Sequence, residues 1–91
     1  METIKNIFGT YIKIIRINSN LSQENLVRKL NLIGLNITQT ALSRIENGTR
    51  ELYDYELYCI CKVLNIDIKL FFDKDLISKI PKKHNPLNIK K

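Results

Sequence analysis

Apolar residues in the first part of the chain recur at intervals of three and four positions. Phe8, Ile12 and Ile15 stand at i, i+4 and i+7, and the basic residues Lys5, Lys13 and Arg16 occur in the same stretch. This spacing places apolar side chains on one face of a helix. The pattern therefore predicts an amphipathic helix over residues 4–18.

A second helix is predicted from a capping signal that is followed by apolar residues at helical spacing. Ser22 can accept a hydrogen bond from a free N–H at the start of a helix, as N-cap residues do. Leu21 and Leu26 have the spacing of a hydrophobic staple around that cap. We expect this helix to turn Leu26, Val27 and Leu30 inward.

A third helix is predicted over residues 38–47, between two signals that favour helix ends. The stretch at 32–37 breaks the pattern around Gly34, which supplies the positive φ that a chain reversal often needs. Thr38 can then cap a new helix, and Gly48 suits the left-handed position that ends one. The apolar face of this helix consists of Ala41, Leu42 and Ile45.

Two more short helices complete the pattern. Asp54 can cap a fourth helix that ends near Asn65, and Asp67 can cap a fifth. Ile66 and Phe71 repeat the staple spacing around the last of these caps. No alternation of period two persists in the sequence, so we predict an all-α domain of five helices.

The helical pattern divides the chain into a domain over residues 1–73 and a basic extension over 74–91. We expect the extension either to take part in dimerisation or to be mobile. The formal net charge of +6 favours polyanionic partners, either nucleic acid or an anionic membrane surface. No apolar run approaches the roughly 18 residues that cross a bilayer, so we expect a cytoplasmic protein without a membrane span.

Catalytic and metal chemistry have little support in the sequence. Cys59 and Cys61 predict neither a disulfide nor a zinc site, because side chains two positions apart on a helix point in different directions. His84 has no indicated catalytic partner, and no paired carboxylates or phosphate-binding loop can be assembled. We therefore expect no enzymatic activity, no metal and no cofactor.

Three motifs occur in a fixed order along the chain. They are Phe8-Gly9 with Ile12 and Ile15-Arg16, then Leu21-Ser22-Gln23-Glu24-Asn25-Leu26, then Leu42-Ser43-Arg44-Ile45-Glu46-Asn47-Gly48. Over residues 8–72 this order resembles the Cro and lambda-repressor-like (Xre) helix-turn-helix family of DNA-binding transcriptional regulators. The resemblance implies a compact lambda-repressor-like domain whose third helix enters the DNA major groove.

The resemblance assigns base contacts to the outward face of the third helix, at Gln39, Thr40, Ser43 and Arg44. The chemistry is suitable, because Gln can bond adenine bidentately, Arg can bond guanine, and the Thr methyl can contact that of thymine. The alternative is that these residues form a solvated helix face. The surrounding motif favours base contact.

Phosphate contacts are expected on either side of this helix. Gln23 and Asn47 match phosphate-contacting positions of the family, and we add Thr49 and Arg50 as further anchors. The free N–H groups that follow Thr38 can also bind a phosphate oxygen, so Thr38 is included.

The resemblance also pairs Arg16 with Glu46, which would tie the first helix to the third. We assign this ion pair to stability and not to DNA binding, because removing one partner would leave a partly buried charge unpaired.

Two features depart from the commonest form of the family. The turn at 32–37 is longer than the usual roughly 3–4 residues, and we predict that it forms an apolar lid on the core. Tyr53 stands where a Ser or Thr is expected, which leaves the cap of the fourth helix open. Tyr53, Tyr55 and Tyr58 indicate either stacking on bases or packing around the fourth helix, and we favour packing.

A homodimer on a palindromic operator is expected, because one small module contacts too little DNA for strong specificity. Phe72, Leu76, Ile77 and Ile80 are assigned to the dimer interface. The alternative is that this stretch folds back onto its own core.

The predicted function is sequence-specific binding of double-stranded DNA by a transcriptional regulator, a repressor in our interpretation. The first alternative is an antitoxin or protein-interaction module that uses the same fold to bind a polypeptide partner. A second is an RNA-binding or membrane-surface protein, but the aromatic platform or basic amphipathic helix that it needs is not evident.

Overall fold

The structure is a computed structural model that describes residues 4–72 of the chain. Its elements are α1 (Gly9–Asn18), α2 (Gln23–Leu32), α3 (Gln39–Asn47), α4 (Asp54–Leu64) and a 3₁₀ helix (Ile68–Phe71). These described residues contain no strand, so the predicted all-α class is confirmed. The extension at 74–91, which includes Leu76, Ile77 and Ile80 of the assigned dimer interface, lies outside the described residues.

The first helix begins at Gly9, so the predicted start at residue 4 is wrong. Oδ1 of Asn6 accepts hydrogen bonds from the backbone N–H groups of Phe8 (3.1 Å) and Gly9 (2.6 Å). These bonds satisfy donors that the first turn of a helix leaves without partners. The preceding residues lie outside the helix, and Lys5 N–H instead donates to the carbonyl oxygen of Gly48 (2.8 Å).

The caps predicted for the second and third helices are confirmed. Ser22 Oγ accepts a hydrogen bond from Asn25 N–H (3.0 Å) at the start of α2. Thr38 Oγ1 accepts one from Ala41 N–H (3.1 Å) at the start of α3. Gly48 ends α3 with a φ of +78°, in the left-handed region that a residue without Cβ adopts without strain.

The fourth helix has a different cap from the one predicted. Asp54 is the first helical residue and not the cap, so that prediction is wrong; Tyr53 occupies the cap position in extended conformation. The Glu56 carboxylate accepts a hydrogen bond from Tyr53 N–H (3.0 Å). An acid at the third helical position can satisfy the N–H ahead of a helix in this way. Asn65 ends the helix, as predicted.

The fifth element forms where it was predicted, as a 3₁₀ helix. Asp67 Oδ1 accepts a hydrogen bond from Lys69 N–H (3.0 Å). The side chain of Phe71 is buried, and its ring centroid lies 4.8 Å from that of Phe8 and 6.3 Å from that of Tyr11. This short helix therefore closes the core against α1.

All four α-helices contribute to one apolar core. Its buried members are Ile12, Leu26, Leu30, Leu35, Ile37, Leu42, Ile45, Leu57, Ile60, Leu64 and Phe71. Burial of such side chains contributes roughly 25 cal/mol per Å² of apolar surface. Because α3 packs against both α1 and α2, the core fixes which face of α3 points outward.

The stretch at 32–37, which begins at the last residue of α2 and leads to α3, buries only part of its apolar surface. Leu35 and Ile37 are buried, whereas Leu32 is 81% and Ile33 51% exposed. The predicted apolar lid is therefore right for the second half of the turn and wrong for the first. Asn31 Nδ2 braces the buried half by donating to the carbonyl oxygens of Leu35 (2.8 Å) and Ile37 (3.2 Å).

Candidate nucleic-acid interface

One face of α3 is polar and points away from the core. Gln39, Thr40 and Arg44 are exposed and Ser43 is half-buried. Because α1 and α2 cover the apolar side of this helix, the polar face remains open. Its side chains carry the donors and acceptors that read base edges in a major groove.

Gln23 joins this face to the buried interior. Its Nε2 donates to Oε1 of Glu46 (3.0 Å), and its Oε1 accepts from Nε2 of Gln39 (3.5 Å). A side-chain amide has two N–H donors and one carbonyl acceptor. Gln39 therefore keeps its carbonyl oxygen and one N–H for a base, and Gln23 keeps one N–H that can donate to a phosphate.

Arg16 of α1 and Glu46 on the buried side of α3 form an ion pair. Arg16 Nε donates to Glu46 Oε2 (2.7 Å) and Nη2 donates to Oε1 (3.1 Å), while Nη1 donates to the carbonyl oxygen of Leu21 (2.7 Å). Both residues are buried, at 7% and 3% exposure. Charge-assisted, bidentate bonds of this kind offset the cost of removing both charges from water. The pair links α1 to α3.

The candidates for phosphate contact at the ends of α3 differ in their exposure and in the hydrogen bonds that they already make within the protein. Thr38 Oγ1 accepts the capping bond, which leaves its hydroxyl proton able to donate. Asn47 is exposed at the opposite end of the helix. Thr49 is half-buried, and its hydroxyl donates to the carbonyl oxygen of Arg44 (3.3 Å). Thr38 and Asn47 are therefore the more accessible of the three.

Arg50 is bound within the protein. Its Nη1 and Nη2 donate to Oε1 (3.0 Å) and Oε2 (3.1 Å) of Glu56, and Nη1 also donates to the carbonyl oxygen of Glu51 (2.9 Å). The hydrogen bond to Glu56 raises the pKa of the Arg50 guanidinium above its ordinary value. Since the carboxylate that holds it is only 4% exposed, the geometry favours a structural role over the expected phosphate contact.

Sequence reasoning missed two residues that hold the segment after α3. Glu56 binds Arg50, and Asn6 Nδ2 donates to the carbonyl oxygens of Ile45 (3.0 Å) and Arg50 (2.9 Å). An Asn side chain often accepts hydrogen bonds from backbone N–H groups a few positions ahead, so its bonds to Phe8 N–H and Gly9 N–H had a signal in the sequence. Its bonds to the two carbonyls had none, because the acceptors lie 39 and 44 positions away.

The tyrosines of the fourth helix are exposed, so our preference for packing around this helix is wrong. Tyr53, Tyr55 and Tyr58 are 48%, 58% and 63% exposed. The rings of Tyr53 and Tyr55 stack with centroids 5.7 Å apart, and Lys62 Nζ lies 5.8 Å from the Tyr58 centroid. At the surface, Tyr53 and Tyr55 therefore contact each other and Tyr58 lies near a cation.

Metal chemistry finds no support in the part of the chain that the structure describes. Residues 4–72 contain no group of three or more His, Cys, Asp or Glu side chains able to hold a metal ion. Burial raises the pKa of the Cys61 thiol, and the charge of Asp67 acts in the same direction. Cys61 is therefore less disposed to form the thiolate that binds metals.

No helix within residues 4–72 has the length and apolar character that crossing a membrane requires.

Comparison with known proteins assigns the chain to a family. A family model described as Helix-turn-helix matches residues 12–71, which include all of α2, α3 and α4. A search of curated proteins and a search of solved structures found no match. The matched region contains the open face of α3 and the network that supports it. The chain therefore belongs to the Cro/C1-type helix-turn-helix family of DNA-binding regulators, which includes the Xre-like regulators.

Proposed function

We propose that this protein is a cytoplasmic transcriptional repressor that binds a palindromic DNA operator as a homodimer. The observation that supports this function most directly is the open polar face of α3. Gln39 on that face is linked through Gln23 to the buried Glu46. A recognition helix held in this way can present its side chains to base edges in one orientation, which sequence-specific reading requires.

Four side chains of α3 read the bases in this proposal. Arg44 donates two hydrogen bonds to a guanine, and Gln39 pairs with an adenine through its free carbonyl oxygen and remaining N–H. Thr40 and Ser43 offer hydroxyl groups, and the Thr40 methyl can contact a thymine methyl. The side chains of Gln39, Thr40 and Arg44 are exposed.

The DNA backbone is held at both ends of α3. Gln23 and Thr38 donate to phosphates near its start, and Asn47 donates near its end. Thr49 and Arg50 take a lesser part, because bonds within the protein already occupy Thr49 Oγ1 and the Arg50 guanidinium. Such contacts fix the register of the protein on the duplex without reading its sequence.

Dimerisation is proposed through the region that follows the core. Leu70 and Phe72, near the end of the described chain, are 61% and 74% exposed. An interface that starts at Phe72 would continue with Leu76, Ile77 and Ile80. Two-fold pairing would place two recognition helices about 34–36 Å apart, which suits half-sites separated by one turn of DNA. A dimer bound over a promoter represses by occupancy.

Selection of bound duplexes from a random library tests the proposal. Wild type, Gln39→Ala and Arg44→Ala are compared with Arg28→Ala, which removes an equal charge from α2. Arg28 is a suitable control because it lies outside α3 and its side chain is 64% exposed.

The expected result is a palindromic consensus for wild type and for Arg28→Ala. Gln39→Ala and Arg44→Ala should each relax the preference at a defined base pair, with a loss of about 1–3 kcal/mol there. No enrichment with wild type, together with only salt-sensitive binding to any duplex, would contradict sequence reading. That outcome would favour a polypeptide partner.

A further inference from the structure

The hydrogen-bonding capacity of the Asn6 side chain is fully taken up by partners within the protein. Its Oδ1 accepts hydrogen bonds from Phe8 N–H and Gly9 N–H, and its Nδ2 donates to the carbonyl oxygens of Ile45 and Arg50. Two donor bonds and two acceptor bonds are the ordinary capacity of a side-chain amide. One residue therefore caps α1 and joins it to both ends of the segment 45–50.

Two further contacts bring the same stretch of chain against that segment. Lys5 N–H donates to the carbonyl oxygen of Gly48 (2.8 Å). Gly9 lies so close to Ile45 that a Cβ at residue 9 would overlap the Ile45 carbonyl oxygen. Residues 5–9 thus form a strap across the end of α3, and a side chain at residue 9 would displace it.

Hydrogen bonds hold the strap where close packing does not. A cavity of about 70 Å³ lies beside the strap, and its lining includes Ile7, Thr10, Asn47 and Gly48. A gap of this kind forfeits the dispersion contacts that close packing would supply. Beside this cavity, the bonds from Asn6 and Lys5 join the strap to the end of α3.

The strapped segment contains residues to which the proposed function assigns phosphate contacts. Asn47 and Thr49 lie between Ile45 and Arg50, the two residues whose carbonyl oxygens Asn6 binds. A small displacement of this segment would move a donor out of hydrogen-bond range of a phosphate, because such bonds weaken quickly with distance and angle.

We propose that Asn6 is a positioning residue for DNA binding, which holds segment 45–50 so that its donors meet the phosphate backbone. This inference rests on the proposed function, because it concerns the phosphate contacts at the same interface. Asn6 acts through the segment and touches no base. Its loss should weaken binding to all duplexes alike and leave the order of preferred bases unchanged.

Asn6→Ser is the variant that separates positioning from capping. Serine retains a short hydroxyl acceptor for the N–H groups at the start of α1, but it cannot replace an amide that donates to two carbonyls. Val63→Ala serves as a control for general destabilisation, because Val63 is a half-buried residue of α4 that packs on the core. Circular dichroism and urea melts establish that both variants are folded.

Duplex binding is then measured as a function of salt, and amide hydrogen exchange is measured on the free protein. For Asn6→Ser we expect about tenfold weaker binding and a slope of log K against log salt that is shallower by about one to two per domain, the loss of one or two phosphate contacts. The amides of Gly48 and Thr49 should exchange faster in Asn6→Ser than in Val63→Ala.

A wild-type slope and wild-type exchange at Gly48 and Thr49 in folded Asn6→Ser would overturn the inference. A changed base preference would also overturn it, because Asn6 would then act on the reading face. Should Asn6→Ser fail to fold, Asn6→Asp replaces it, since a carboxylate caps a helix N-terminus well but cannot donate.

Failure of the proposed function gives a different result. Wild type would then show no base preference, whereas Asn6→Ser would still alter salt-dependent binding to an unselected duplex. Should wild type bind no duplex, the role in DNA binding is overturned, whatever the exchange of Gly48 and Thr49.

Discussion

Two arginines of this domain bind buried glutamates, but they hold different parts of the molecule. Arg16 reaches Glu46 across 30 positions of sequence, and their side chains are 9% and 0% exposed. Arg50 reaches Glu56 across six positions, with side chains 26% and 5% exposed. The first pair ties α1 to α3. The second fixes the segment that connects that helix to α4.

The role of an arginine therefore depends on the carboxylate within its reach. The resemblance to a known family supplied the partner of Arg16. Nothing in the sequence indicated that Glu56 would bind Arg50, so this residue was expected to contact phosphate. An arginine held by a buried carboxylate must break those bonds before it can bind DNA fully. Arg44, which is exposed on α3, has no such cost from burial.

The largest effect is expected at the more deeply buried pair. Arg16→Ala leaves Glu46 buried without its cation and removes the bond to the carbonyl oxygen of Leu21. We expect the free energy of unfolding to fall by about 3–5 kcal/mol in urea melts. A melt that coincides with that of wild type would show that the pair contributes nothing to stability.

An intermediate effect is expected at Arg50. Arg50→Ala removes two charge-assisted hydrogen bonds from a carboxylate that is largely buried, and the unfolding free energy should fall by about 2–3 kcal/mol. Binding to an unselected duplex, measured where the variant is fully folded, should change little. Unchanged stability with a marked loss of duplex binding would return Arg50 to the phosphate contacts.

The smallest effect is expected at the exposed pair on α2. Arg28 and Glu24 lie four positions apart, with 3.3 Å between Arg28 Nη2 and Glu24 Oε2 and with side chains 64% and 70% exposed. Arg28→Ala should change the unfolding free energy by no more than about 0.5 kcal/mol, because water and salt screen such pairs. A loss of unfolding free energy comparable to that in Arg50→Ala would show that burial does not determine how much each of these three pairs contributes to stability.

The sequence was informative where structure depends on neighbouring residues. Ser22, Thr38 and Gly48 mark helix ends through bonds and φ values within a few positions, and all three predictions are confirmed. The polar face of α3 was predicted by the same periodicity that identified its apolar face. These features need no knowledge of how the helices pack.

The sequence was less informative where one part of the chain meets another. The start of α1 was placed five residues early, because Asn6 turns toward α3 and the chain before it bonds to Gly48. The stretch at 32–37 was expected to form an apolar lid on the core, but only Leu35 and Ile37 are buried there, and Leu32 remains exposed. Periodicity predicts which side of a helix is apolar. It does not predict which part of that side a neighbouring segment covers.

Base reading by α3 is tested most directly by a double-mutant cycle between the protein and the DNA. The DNA affinities of wild type and Arg44→Ala are each measured on two duplexes. The first is the selected duplex. In the second, the guanine of the base pair whose preference relaxes in Arg44→Ala is replaced by an analogue without the N7 acceptor. If Arg44 bonds that guanine, each single change should cost about 1–3 kcal/mol, and the two together should cost little more than one alone. Losses that simply add would show that Arg44 does not contact the base, and would contradict the assignment of Arg44 to base reading by α3.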